Sequence, residues 1–162
     1  MENCIKKILI LVDVQNVYYT TRQAFSRNFD YNAFWAQATS GRDVVKAIAY
    51  AVDRGDQKQQ AFQKILRAIG FEVKLKPFIQ RADGSAKGDW DVGITIDALE
   101  ESADVDVVVL VSGDGDFSIL VDKLRTAKGK RVEIYGVQAL TAKSLMDAAN
   151  QFIPIEGELL LG

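Results

Sequence analysis

The run Val105-Asp106-Val107-Val108-Val109-Leu110-Val111, closed by Ser112-Gly113-Asp114-Gly115-Asp116-Phe117, constrains this chain more than any other stretch. An unbroken apolar, mostly β-branched segment has no polar face to offer water. It predicts a strand covered on both sides, as parallel sheets require. Lys7 to Asp13 has the same form, an apolar run that stops at an acid. Gly and Asp at a strand end also make ordinary turns, so the Ser112–Phe117 stretch alone is open between turn and site.

The intervening segments alternate between strand and helix character. Phe29 to Ser40 places Tyr31, Phe34 and Trp35 on one helical face, suited to core packing. Val44 to Val52 is β-branched and breaks at Asp53-Arg54-Gly55-Asp56, which predicts a second strand. Gln57 to Ile69 predicts a helix with Phe62, Ile65, Leu66 and Ile69 inward and Gly70 as its stop. Phe71 to Leu75 alternates like an edge strand, and Pro77 to Gly88 reads as a loop.

Asp89 to Glu101 predicts a helix with Val92, Ile96 and Leu99 inward. Phe117, Leu120, Val121 and Leu124 share a face of the helix behind the Val105 strand. Arg131 to Tyr135 is a fifth strand, Thr141 to Ala149 a helix, and Phe152 to Ile155 a short sixth strand.

This alternation predicts an α/β chain with a mostly parallel central sheet and helices on both faces, over a single domain spanning 1–162. Such sheets bind ligands beyond the carboxyl ends of their strands, where the strand order reverses. With the order 3-2-1-4-5, the first and fourth strands are neighbours, and Asp13 faces Asp114.

Composition narrows the chemistry. The chain has no histidine and one cysteine, Cys4, which excludes Ser-His-Asp and Cys-His nucleophiles and histidine-bound zinc within one chain. Converging carboxylates repel unless a cation or proton sits among them, and an oxygen-only donor set suits Mg²⁺ or Mn²⁺. Asp13, Asp114 and Asp116 are the core candidates, with Asp91 at a helix start; Asp89 and Asp97 are weaker ones. Asn16 reads as a neutral ligand, a phosphate contact or a helix cap, and Ser112 as a hydroxyl donor or a small turn residue. Held carboxylates and an ion would support in-line hydrolysis of a phosphodiester.

The formal net charge of −2 gives no broad basic surface for nucleic acid. Lys74, Lys76, Arg81 and Lys87 nonetheless approach the acid edge, with Phe78 and Trp90 available to stack on bases, although Lys74 and Lys76 equally suit the solvated face of an edge strand. Arg125, Lys128, Lys130 and Arg131 fall at the opposite edge, where they suit a helix C-terminus. No apolar segment reaches the roughly 18 residues of a membrane span, and Glu2, Lys6 and Lys7 interrupt any leader, so a cytoplasmic protein without membrane contact is expected. Homo-oligomerisation is left open.

Three elements together carry a family resemblance: Ile10-Leu11-Val12-Asp13-Val14-Gln15-Asn16; Lys87-Gly88-Asp89-Trp90-Asp91-Val92 with Asp97-Ala98-Leu99; and Ser112-Gly113-Asp114-Gly115-Asp116-Phe117. In this order they resemble the NYN domain of the LabA-like family, a branch of the PIN-like nuclease superfamily. The resemblance implies a three-layer α/β/α sandwich of PIN-like type and metal-dependent ribonuclease activity on RNA. It implies that Asp13, Asp91, Asp114 and Asp116 hold Mg²⁺ or Mn²⁺, with Asn16 and Ser112 in support. Arg81, Lys87 and Trp90 complete the expected substrate contacts. Asp89 and Asp91 flank Trp90 where the family has its acid, and Asp91 fits the spacing to Asp97 better. The alternatives to a ribonuclease are a non-catalytic regulatory module binding RNA or a nucleotide, and a small-molecule phosphoesterase.

Overall fold

The computed structural model describes residues 5–77, 79–80, 86–87 and 89–162, the side chains of 77, 79, 80, 86 and 87 excepted. Its elements in chain order are β1 (Lys7–Asp13), α1 (Val14–Phe25), α2 (Tyr31–Thr39), β2 (Asp43–Asp53), α3 (Gln57–Ile69) and β3 (Glu72–Pro77). There follow β4 (Ile79–Gln80), β5 (Ala86–Lys87), α4 (Asp91–Glu101), β6 (Val107–Val111), α5 (Ser118–Thr126), β7 (Arg131–Gly136), α6 (Lys143–Ala148) and β8 (Gln151–Pro154).

The main sheet is parallel throughout, in the order β3-β2-β1-β6-β7-β8. Leaving out the short β4-β5 pair, this is 3-2-1-4-5 with the sixth strand added beyond the fifth, and the fold is the PIN-like α/β arrangement the sequence predicts. β1 is fully buried from Ile8 onward because both of its faces are covered. Ile8, Ile10 and Val12 pack with Val17, Phe34 and Leu66 of α1, α2 and α3. Leu9 and Leu11 pack on the other side with Ile94, Leu120 and Leu145 of α4, α5 and α6.

At about 25 cal/mol per Å² of apolar surface, each fully buried aliphatic side chain here contributes roughly 1.5–3 kcal/mol. The register sets Leu11 beside Leu110 and Val12 beside Val111, so the two acidic strand ends finish side by side at the point where the order reverses.

The structure corrects three details of the sequence reading. In α4 the buried residues are Ile94 and Ala98, whereas Val92 and Ile96 are 70% and 49% exposed. The helix begins at Asp91, and Asp91, Ile94 and Ala98 fall on one stripe at i, i+3 and i+7, so the face that packs the core also delivers the acid. In α3 Leu66 is buried but Ile65 is exposed, and Gln63 takes an inward position. Within the predicted 77–88 loop, Ile79–Gln80 pairs antiparallel with Ala86–Lys87 as a two-stranded ribbon.

Candidate metal centre

Asp13 ends β1 and caps α1: its Oδ1 accepts from the Asn16 N–H at 3.4 Å, while its Oδ2 accepts from the Ser112 hydroxyl at 3.1 Å. Asn16 therefore is not the cap. Its side-chain oxygen instead accepts from the Gly113 N–H at 2.9 Å, tying the start of α1 to the loop after β6. Ser112 is wholly buried and also accepts from the Asp114 N–H at 3.2 Å. One hydroxyl thus links the two acidic strand ends.

The glycines of the Ser-Gly-Asp-Gly-Asp element are explained by crowding; neither has positive φ. A Cβ on Gly113 would stand 2.9 Å from the Thr141 hydroxyl and 3.0 Å from the Leu140 carbonyl, and one on Gly115 would stand 2.8 Å from the Ala142 Cβ. The segment before α6 presses against this loop and holds it. Asp114 then caps a single 3₁₀ turn, Gly115–Phe117, through the Asp116 N–H at 2.9 Å. Phe117 anchors the turn in the core.

Asp91 arrives from the opposite layer at the first position of α4. Trp90 fixes that start: its indole N–H donates to the Ala51 carbonyl at 2.9 Å, its ring lies 5.3 Å from Tyr50, and the Lys76 ammonium sits 4.7 Å above it. Gly93 leaves room for the indole, since a Cβ there would come within 2.6 Å of it. Trp90 is thus a strut as well as a candidate stacking surface. Lys74 is committed elsewhere, paired with Asp97 at 2.7 Å, and Asp97 also accepts from the Tyr50 hydroxyl, apart from the other acids. Asp89 is exposed beside the helix start and accepts from the Asp91 N–H.

One carboxylate oxygen each of Asp91, Asp114 and Asp116 lies within 4.8 Å of the others, with Asp13 buried next to them. Burial and neighbouring charge show in the proton equilibria of Asp91 and Asp13. Asp91 is pushed up to about 7, first by burial, then by its hydrogen bond with Asp114, then by the charges of Asp114, Asp13 and Asp89. Asp13 is raised to about 6, chiefly by burial, against the lowering effect of its Asn16 and Ser112 hydrogen bonds. A small cleft of about 200 Å³ adjoins the cluster, lined by Asp91, Thr95, Asp116 and Phe117 among others. Arg81 and Phe78, and the side chain of Lys87, lie outside the described residues. Arg125 and Lys130 donate to the Ala148 and Val105 carbonyls, away from this edge.

The profile of the NYN domain family matches residues 7–156. This chain belongs to the NYN domain family. It is 26% identical over 158 residues to the low amplitude and bright protein LabA of Synechococcus elongatus, covering 92% of this chain and 83% of LabA. This NYN chain is therefore LabA-like. A crystal structure of a protein of unknown function from Vibrio parahaemolyticus superposes with a TM-score of 0.94 at 57% identity over 99% of both chains. Ribokinase from Giardia lamblia shares only the architecture, with a TM-score of 0.50 and 12% identity over 93% of this chain and 58% of that one. Among the described residues no helix is long and apolar enough to cross a membrane.

Proposed function

We propose that this NYN protein is a ribonuclease that hydrolyses RNA phosphodiester bonds with a Mg²⁺ or Mn²⁺ ion held by Asp13, Asp91, Asp114 and Asp116. The observation that carries the reading is the convergence of the Asp91, Asp114 and Asp116 oxygens within 4.8 Å at the strand-order reversal, in a chain of this family. The donors fit such an ion: they are all oxygens, they include no histidine or thiolate, and Asp13 and Asp91 bind protons more tightly than usual, through burial first and neighbouring carboxylates second, charge that a cation would offset. When bound, a divalent ion positions a phosphate, eases ionisation of a water and stabilises the leaving oxygen.

The chain's own groups prepare the site. The Asn16 N–H and Ser112 hydroxyl hold both oxygens of Asp13, so it enters the reaction with its rotamer fixed. The Asp116 N–H does the same for one oxygen of Asp114. Asn16 and Ser112 serve as supports; Trp90, Arg81 and Lys87 are assigned to the RNA strand beside the acids. One observation favours a second reading: the net charge of −2 offers long RNA no wide basic track, which suits a small phosphate ester or a bound nucleotide.

The test is cleavage of end-labelled RNA in Mn²⁺ or EDTA by native protein and by Asp114→Asn. Cleavage lost in EDTA and in the variant supports the reading. Cleavage that survives both refutes it, and RNA that binds but stays intact in every metal favours a regulatory module.

A further inference from the structure

A second cavity lies beside the acid cluster, and none of the groups assigned above uses it. It encloses about 710 Å³ between α1, the end of β2 and the start of α3. Val14 and Gln15, which directly follow Asp13, form one wall, and Ala51 and Val52 lie at the strand end.

Its lining combines stacking surfaces with the polar groups of Tyr31, Gln15 and Asn28. Tyr31 is 8% exposed, packs edge-on against Phe62 at 5.4 Å, and its hydroxyl makes no hydrogen bond among the described residues. The side-chain amides of Gln15 and Asn28 make none either. The three groups line one cavity, the phenol from a nearly buried ring, Gln15 from a half-buried position and Asn28 from the exposed rim, and so offer donors and acceptors to a ligand with its own. Burial and, second, the Asp13 carboxylate raise the ionisation of Tyr31 far out of the physiological range, so its hydroxyl remains a donor. At the rim Tyr18 is 52% exposed. Lys58 adds a cation there, while the neighbouring Asp56 carboxylate is engaged by the Gln59 N–H at 2.7 Å.

Building on the ribonuclease reading, we propose that this cavity seats one nucleotide of single-stranded RNA next to the phosphodiester held at the acids. Small-ligand sites occupy roughly 300–1,000 Å³, which brackets this volume. Tyr18 supplies a face for the base. Gln15, Asn28 and the Tyr31 hydroxyl read its edge, and Lys58 meets the backbone phosphate. Tyr18 stands five residues beyond Asp13, about 8 Å along the helix axis, so base and reacting phosphate belong to neighbouring nucleotides. A base paired in a duplex cannot enter, which makes the substrate single-stranded at this point.

Fluorescein-labelled single-stranded RNA of mixed sequence, the same sequence as a duplex, and AMP and UMP are titrated in Mg²⁺ against Asp114→Asn protein. The titrations are repeated after adding Tyr18→Ala, Gln15→Ala or Tyr31→Phe. Tyr18→Ala is expected to weaken the single strand about tenfold, and the other two several-fold, with the duplex and mononucleotides bound far more weakly. In the otherwise native protein Tyr18→Ala raises KM and leaves kcat within about twofold. Unchanged affinity and KM in all three variants overturn the cavity assignment while the nuclease reading stands. Weakened binding with no cleavage by the native protein keeps the cavity and overturns the nuclease. Mononucleotide binding sensitive to Tyr18→Ala, without RNA binding, overturns the RNA assignment for a free nucleotide.

Discussion

Replacing Asp13 by Asn should stabilise the ion-free protein at alkaline pH while removing much of its response to metal. The Asp13 carboxyl is 7% exposed and its folded value is about 6 against an ordinary 3.8. A raised acid is neutral and harmless below about pH 4; as pH climbs to about 6 the unfolded chain ionises first, and folded stability falls. The whole difference corresponds to about 3 kcal/mol at 1.36 kcal/mol per pKa unit. Asn carries no charge, can accept from the Asn16 N–H with its oxygen, and can donate from its amide to Ser112, whose hydroxyl rotates. Asn is also as good an N-cap as Asp, so α1 keeps its start.

With about 2–4 °C per kcal/mol for a chain of this length, the variant should melt about 6 °C or more above the native protein at pH 8 in EDTA. The two should converge near pH 4. Millimolar Mn²⁺ should raise the native midpoint and move the variant much less. Thermal unfolding followed by circular dichroism across pH 4–8 reads all three. A variant that melts lower at pH 8, or a gap independent of pH, would refute the claim that Asp13 is a strained carboxylate awaiting a cation.

The supporting contacts make further predictions. Asn16→Ala leaves the Gly113 N–H without its acceptor, which should cost about 1–2 kcal/mol in urea unfolding and lower Mn²⁺ affinity with it. Gly113→Ala drives a methyl against the Leu140 carbonyl and Thr141, for a loss of about 1–3 kcal/mol, whereas Gly129→Ala meets no neighbour and should cost only the strain of its positive φ. Because Asp91 titrates near 7, Mn²⁺ affinity by calorimetry should rise between pH 6 and 8 with proton release, and Asp91→Asn should flatten that rise. Far from the site, Arg42 and Arg131 hold Glu133 below its ordinary range. That contribution is present above the usual carboxylate range and lost as pH falls through the lowered value, so Glu133→Gln should lower the urea midpoint at pH 7 and do so less as the pH falls below the carboxylate range.

Strand identity and order were readable because the buried runs at β1 and β6 have no alternative but a doubly covered sheet, and because both stop at acids. The convergence of Asp13, Asp114 and Asp116 follows from that order. Asp91 was readable as a helix-start acid, but the inward face of α4 was not. Val92 and Ile96 look like a core stripe, and only the packing shows that Ile94 and Ala98 share the stripe of Asp91. The reason for Gly113 and Gly115 was equally hidden, since it lies in Leu140, Thr141 and Ala142, which contact them only through the fold. The same holds for the cavity beside α1. Tyr31 reads as ordinary core, and nothing local shows that its hydroxyl lines a cavity.

A divalent ion among four aspartates would show directly in a crystal grown with Mn²⁺, through anomalous scattering at the manganese edge. The expected peak is ringed by Asp91, Asp114 and Asp116 with Asp13 adjoining, and is abolished in Asp114→Asn. An empty cluster at saturating Mn²⁺, or a peak held by other residues, contradicts the metal assignment.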